Sequence, residues 1–87
     1  MASTLNILAE EVNLSTANNI SNATLVRLFN TDDTTDTLVT RKTSGGTTIA
    51  SVTLGAGEIL NLQKDSSDTF EIADDVVVKA VKVGYSV

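Results

Sequence analysis

Residues 54–70 read LGAGEILNLQKDSSDTF. Gly55 and Gly57 bracket a tight turn, because glycine reaches positive φ without steric cost. Leu60 and Leu62 alternate with polar partners at the period of a strand, and Phe70 and Ile72 repeat the pattern after the break KDSSD. Two readings of that break compete. Asp65 and Asp68 are ligands for a cation, or they close the corner between two strands by accepting nearby backbone N–H groups. Calcium needs six to eight oxygens in a defined loop, and neither KDSSD nor NTDDTTD at 30–36 has the spacing or the glycine of an EF-hand loop. The corner is the reading this spacing favours.

The same grammar extends in both directions. Upstream, ATLVRLFN (23–30) places Val26 and Leu28 on one face and Leu25, Arg27 and Phe29 on the other. A strand apolar on both faces is central, or it is covered by a partner. TDDTTD is a loop, TLVTRKT (37–43) a strand, SGG a hairpin turn, and TTIASVTL (47–54) the return strand with Ala50, Val52 and Leu54 on one face. Downstream, TFEIA (69–73), a DD turn and VVVKAVKVGYSV (76–87) follow, with Val81, Val83 and Tyr85 alternating against Lys82 and Gly84. At the start, TLNIL (4–8) and EEVNLS (10–15) alternate weakly, and a helix over 3–11 capped by Ser3 is the alternative there. β-Branched strands between Asn, Asp, Ser and Gly turns predict an all-β chain. The expected fold is a small antiparallel β-sandwich or flattened barrel of six to eight short strands, with residues 1–22 as an N-terminal arm or edge strand and 23–87 as its core.

Composition narrows function. The chain has 87 residues, no cysteine, no proline and no histidine. That excludes disulfides and thiolate metal sites, and it removes the commonest general base and the cysteine nucleophile. Glu10/Glu11 and Asp74/Asp75 are neighbours on strands or turns and point apart, so they do not make a catalytic pair. No catalytic, cofactor or metal residue is assigned, and the chain is expected not to be an enzyme. A net charge of −5 with six dispersed Lys/Arg disfavours nucleic acid. No apolar run is long enough for a membrane span, and MASTLNILAEE lacks the basic start of a secretory signal. Threonines follow no fixed coil length, against an ice-binding ladder. Leu25, Phe29, Ile49 and Ile59 alternate opposite the assigned core: they are a contact surface or the core of a second sheet.

The run from 23 to 87 resembles small β proteins encoded by tailed phages of marine cyanobacteria and similar bacteria. The shared features are an apolar strand ending in Asn (VRLFN), a threonine-rich hairpin, a glycine turn with Glu (LGAGEIL), a KDSSDTF-like segment and a closing valine strand. The resemblance implies a virion structural protein, a head decoration or cement subunit that binds the major capsid protein on the capsid surface after assembly in the host cytoplasm. It implies no catalytic residue and no cofactor. A tail, neck or fibre component is the near alternative, and a soluble module for a host protein or carbohydrate the distant one. Residues 1–22 lie outside the resemblance. Leu5, Ile7, Leu8, Val12 and Leu14 in that segment are the candidate partner-binding residues, other virion proteins are further partners, and a homo-oligomer is compatible with so small a core.

Overall fold

The computed structural model describes residues 4–86 and contains eight strands: β1 (Thr4–Ile7), β2 (Val12–Leu14), β3 (Leu25–Asn30), β4 (Thr37–Lys42), β5 (Thr48–Leu54), β6 (Ile59–Gln63), β7 (Thr69–Ile72) and β8 (Val78–Ser86). They form two antiparallel sheets. In the five-stranded sheet β1 and β2 both pair with β8, followed by β3 and β6; the three-stranded sheet runs β5-β4-β7. The expected all-β sandwich is therefore what the chain forms. No helix occurs among the described residues: of the helical alternative over 3–11, Ser3 lies outside them, 4–7 is strand and 8–11 a bulge.

The chain changes sheets at Leu14. Up to that point it pairs with β8, through Val12↔Ala80 and Leu14↔Val78. From Ser15 it descends along β7: Ile72 N–H donates to the Ser15 carbonyl (3.1 Å), and Asn18 and Phe70 exchange backbone hydrogen bonds (3.1 and 3.0 Å). With residues 15–18 counted as a strand, one sheet has the order β2-β8-β3-β6 and the other 15–18-β7-β4-β5. From β2 onward successive strands alternate between the sheets apart from the β4–β5 hairpin. This is the connectivity of a small jelly roll. Residues 4–22 belong to the sandwich, as edge strand and crossover, and do not form an extended arm; residues 1–3 lie outside the described residues.

Alternation fills the space between the sheets. Val26 and Leu28 of β3, Val78 and Ala80 of β8, and Leu14 face Val39, Leu54, Phe70 and Ile72 of the other sheet, all buried. Leu60 and Leu62 of β6 also point inward, but only half-buried. Ile20 reaches this core from an unusual backbone. Ile20, Ser21 and Asn22 have φ of 53°, 58° and 55°, a left-handed turn without glycine. Each such residue costs roughly 1–2 kcal/mol. Burial of the Ile20 side chain, 1% exposed, offsets that by roughly 1.5–3 kcal/mol. Asn18 Oδ1 accepts from Ile20 N–H (2.7 Å), and Asn19 Oδ1 accepts from Asn22 N–H (3.3 Å).

The two ends of the sandwich differ in charge. At one end the loops 31–36, 55–58 and 73–77 meet: Thr31 N–H donates to the Val77 carbonyl (3.0 Å), Ala56 N–H to Asp36 Oδ1 (2.9 Å) and Thr37 Oγ1–H to Asp74 Oδ2 (2.7 Å). Asn30 centres this end. It is fully buried, its amide donates to the Thr35 and Leu54 carbonyls (2.9 and 3.3 Å), and its Oδ1 accepts from Asp32 N–H (3.0 Å). Asp32, Asp33, Asp36, Glu58, Asp74 and Asp75 lie on these loops, and none forms an ion pair among the described residues. The opposite end carries Arg41, Lys42, Lys64 and Lys82 by register.

Candidate interaction surface

The acidic stretches resolve as corners. Asp32 Oδ1 accepts from the N–H groups of Thr34 and Thr35 (both 2.8 Å), and these hydrogen bonds hold its carboxyl below the usual carboxylate range. Asp68 N–H donates to the Asp65 carbonyl (3.0 Å), closing the KDSSD turn. The Asp68 side chain is nearly buried and takes Nε–H and Nη2–H of Arg41 at 2.9 and 2.6 Å, while the exposed Asp65 stands 3.7 Å from the same guanidinium. Beside them Lys64, 3% exposed, donates to the carbonyls of Ala23 (2.6 Å), Asp65 (3.3 Å) and Ser66 (3.4 Å). Burial lowers the pKa of its ammonium and the Asp68 charge works against that. The cluster locks the 64–68 turn to the left-handed turn, with every group engaged. No group of three or more metal-ligating side chains occurs among the described residues.

Surface chemistry of a different kind lies on the outer face of the five-stranded sheet. The register Val26↔Lys82 and Arg27↔Val81 sends Val78 and Ala80 inward, so Val81, Val83 and Tyr85 point outward. Val81 and Val83 are nevertheless only 5% exposed. They floor a groove of about 520 Å³ walled by Leu5 and Ile7 of β1 on one side and Arg27 on the other, with Glu11 at its end. The sequence builds it locally. Between Ile7↔Val83 and Val12↔Ala80, residues 8–11 of the edge strand oppose only residues 81–82 of β8. The surplus bulges out, and bulges of this kind re-aim side chains. Glu11 comes within 4.0 Å of Arg27, whose guanidinium sits 5.8 Å from the centre of the Phe29 ring. Ile7 remains 79% exposed.

This geometry divides the five candidate contact residues. Leu5 and Ile7 line the groove. Leu8 is exposed on the bulge and packs toward Gly84, where an added Cβ would meet its Cδ1 at 3.0 Å. Leu14 is buried in the core and Val12 packs against it partly buried, so both face inward and not into the groove. Of the second set, Leu25, Phe29 and Ile59 lie on the outer face with the groove, and Ile49 sits on β5. Sequence reasoning placed Val81 and Val83 on one face of the closing strand but did not assign them to a contact surface, although two apolar neighbours in a row, Ala80 and Val81, mark the strand as apolar on both faces.

A second apolar opening lies between the edges of β5 and β6. Val39, Ala50, Val52, Leu62 and Phe70, with Arg41, line a cleft of about 190 Å³. Ala50 and Val52 point between the sheets yet stay exposed, Val52 by 40%. The opposite side of the sandwich is closed by the 15–18 crossover; this side is closed by no backbone pairing among the described residues.

No protein-family model matches the sequence, and no curated protein or solved structure matches it.

Proposed function

We propose that the chain is a non-enzymatic structural protein of a virion that decorates or cements the capsid by binding the major capsid protein. The observation that carries this reading is the outward groove floored by Val81 and Val83. An apolar, shaped depression on a sheet face, rimmed by Arg27 and Glu11, has the make-up of a protein contact: an apolar centre and a polar rim. Its area is small, so single attachments are weak and a regular lattice of attachment points makes them strong together. Jelly-roll connectivity recurs in viral capsid and lectin domains, which supports the reading by fold analogy alone. A carbohydrate site is less well supported, because Tyr85 is the one aromatic side chain that is well exposed among the described residues.

Quantitative mass spectrometry of purified virions tests it. A copy number on the scale of the shell subunits is the expected result. A number on the scale of a neck or tail ring moves the protein to those structures, and absence from the particle refutes the virion reading. Ile7→Lys, at a position 79% exposed on the groove wall, is expected to abolish attachment while leaving the thermal melt in place.

A further inference from the structure

We propose that the free edge of β5 is the pairing surface for a second copy of this chain, joined antiparallel about a twofold axis through Ser51. The inference concerns the isolated chain and does not depend on the virion reading.

Four observations converge on that edge. First, β5 hydrogen-bonds to β4 alone, so its other side presents an unpaired row of N–H and C=O groups. Natural edges are blunted by lysine, proline or bulges. Here the one irregularity falls at the β5 end, between the pairs Arg41↔Ala50 and Lys42↔Thr48, and residues 50–54 run regularly. Second, residues 43–57 contain no charged side chain, nor do residues 59–63 of the neighbouring edge β6. In a chain of net charge −5, identical copies approach most readily where no like charges face each other.

Third, the pairing is self-complementary. Centring the pair on Ser51, inside the regular stretch 50–54, sets Ala50 opposite Val52 of the other copy, and Val52 opposite Ala50. These are the two inward-pointing side chains that the monomer leaves exposed over the β5–β6 cleft. Each gains an apolar cross-strand neighbour, and the added strand covers the mouth of the cleft. The bulge at Ile49 ends the regular pairing there, so Ala50–Val52 of each copy form its centre. The two three-stranded sheets become one continuous sheet of the isologous kind that twofold dimers use.

Fourth, the antiparallel sense separates the acidic ends. Each copy's Asp32, Asp33, Asp36, Glu58, Asp74 and Asp75 lie beyond Leu54, and the partner's lie at the opposite end of the shared strand pair. A seven-residue strand spans about 23 Å, against a screening length of about 8 Å at physiological salt. A parallel arrangement would stack the two acidic ends instead.

Sedimentation equilibrium on the purified chain, wild type and Ser51→Lys, is the experiment. Ser51 is exposed, so the lysine folds, and an unchanged melt verifies that. Wild type is expected to dimerise and S51K to sediment as a monomer, because two ammonium groups then oppose each other across the axis. The chain has no cysteine, so a single introduced thiol reports position without background. Ser51→Cys is expected to close an intermolecular disulfide on mild oxidation, and Asn61→Cys on β6 to stay unlinked. A wild type that is monomeric at every concentration, a dimer indifferent to S51K, or crosslinking through Asn61 in place of Ser51 each overturns the proposal.

Discussion

Asp68→Asn is the most informative single substitution in this fold, because it keeps shape and removes one charge from a nearly closed cluster. Asp68 accepts both a 2.9 Å and a 2.6 Å hydrogen bond from Arg41, and its charge is what supports the buried Lys64 ammonium. Breaking a buried ion pair by removing one partner costs about 3–5 kcal/mol. The Arg41 side chain is 29% exposed, so water recovers part of the loss, and we expect about 2–3 kcal/mol. That corresponds to a drop in Tm of about 10–20 °C at about 4–8 °C per kcal/mol for a domain of this size. The pH dependence separates the two cations. Lys64 has a depressed pKa in the folded state, so the unfolded chain binds more protons between the folded and unfolded values, and stability rises with pH across that window. Removing the Asp68 charge depresses the folded value further and widens the window. Urea denaturation followed by far-ultraviolet circular dichroism at pH 7 and pH 10 reads both effects: Asp68→Asn is expected to regain part of its deficit at the higher pH, and the Arg41 share to remain. A cost near that of an exposed pair, under about 1 kcal/mol, with no difference in pH slope, would refute the buried-cluster argument.

Three further substitutions test the packing. Leu62→Ala is expected to cost about 1–2 kcal/mol, below the roughly 2–5 kcal/mol of full burial, because Leu62 lines the open β5–β6 cleft; chemical denaturation measures it. Asn30→Ala removes three hydrogen bonds that tie the acidic end together and should cost about 3 kcal/mol, at about 1 kcal/mol each, with faster amide exchange in loop 31–36. Ser21→Gly is expected to stabilise the chain by about 0.5–1 kcal/mol, the left-handed strain relieved less the entropy glycine loses on folding, seen as a higher Tm.

The strand pattern was legible because turn chemistry punctuates it. The expected strands differ from the observed ones by one or two residues at their ends, and the inward placement of Val26, Leu28, Leu54, Phe70 and Ile72 follows from alternation. The crossover at 15–18 was not legible. TANNIS reads as turn, and its role comes from backbone bonds to β7 that no side chain announces. The left-handed turn was hidden for a related reason: Ile20 disfavours that conformation, and only its burial in the assembled core makes it stable. The groove depends on register. Val81 and Val83 look like core in the sequence, and it takes the pairing with Arg27 and Leu28 to turn them outward. Of the proposed contact residues, Leu14 failed as surface because sequence alternation does not say which face of an edge strand is the wet one.

The pairing of Ile7 with Val83 also sets a clock. Synthesis adds about 5–20 residues per second. The 76 residues that separate these partners (83 − 7) therefore keep β1 waiting for about 4–15 seconds after it is made. Once made, β3 lacks both neighbours until β6 is synthesised and still lacks β8 after that. Completion of the sandwich thus waits for β8, and chaperone demand should persist until β8 has been made.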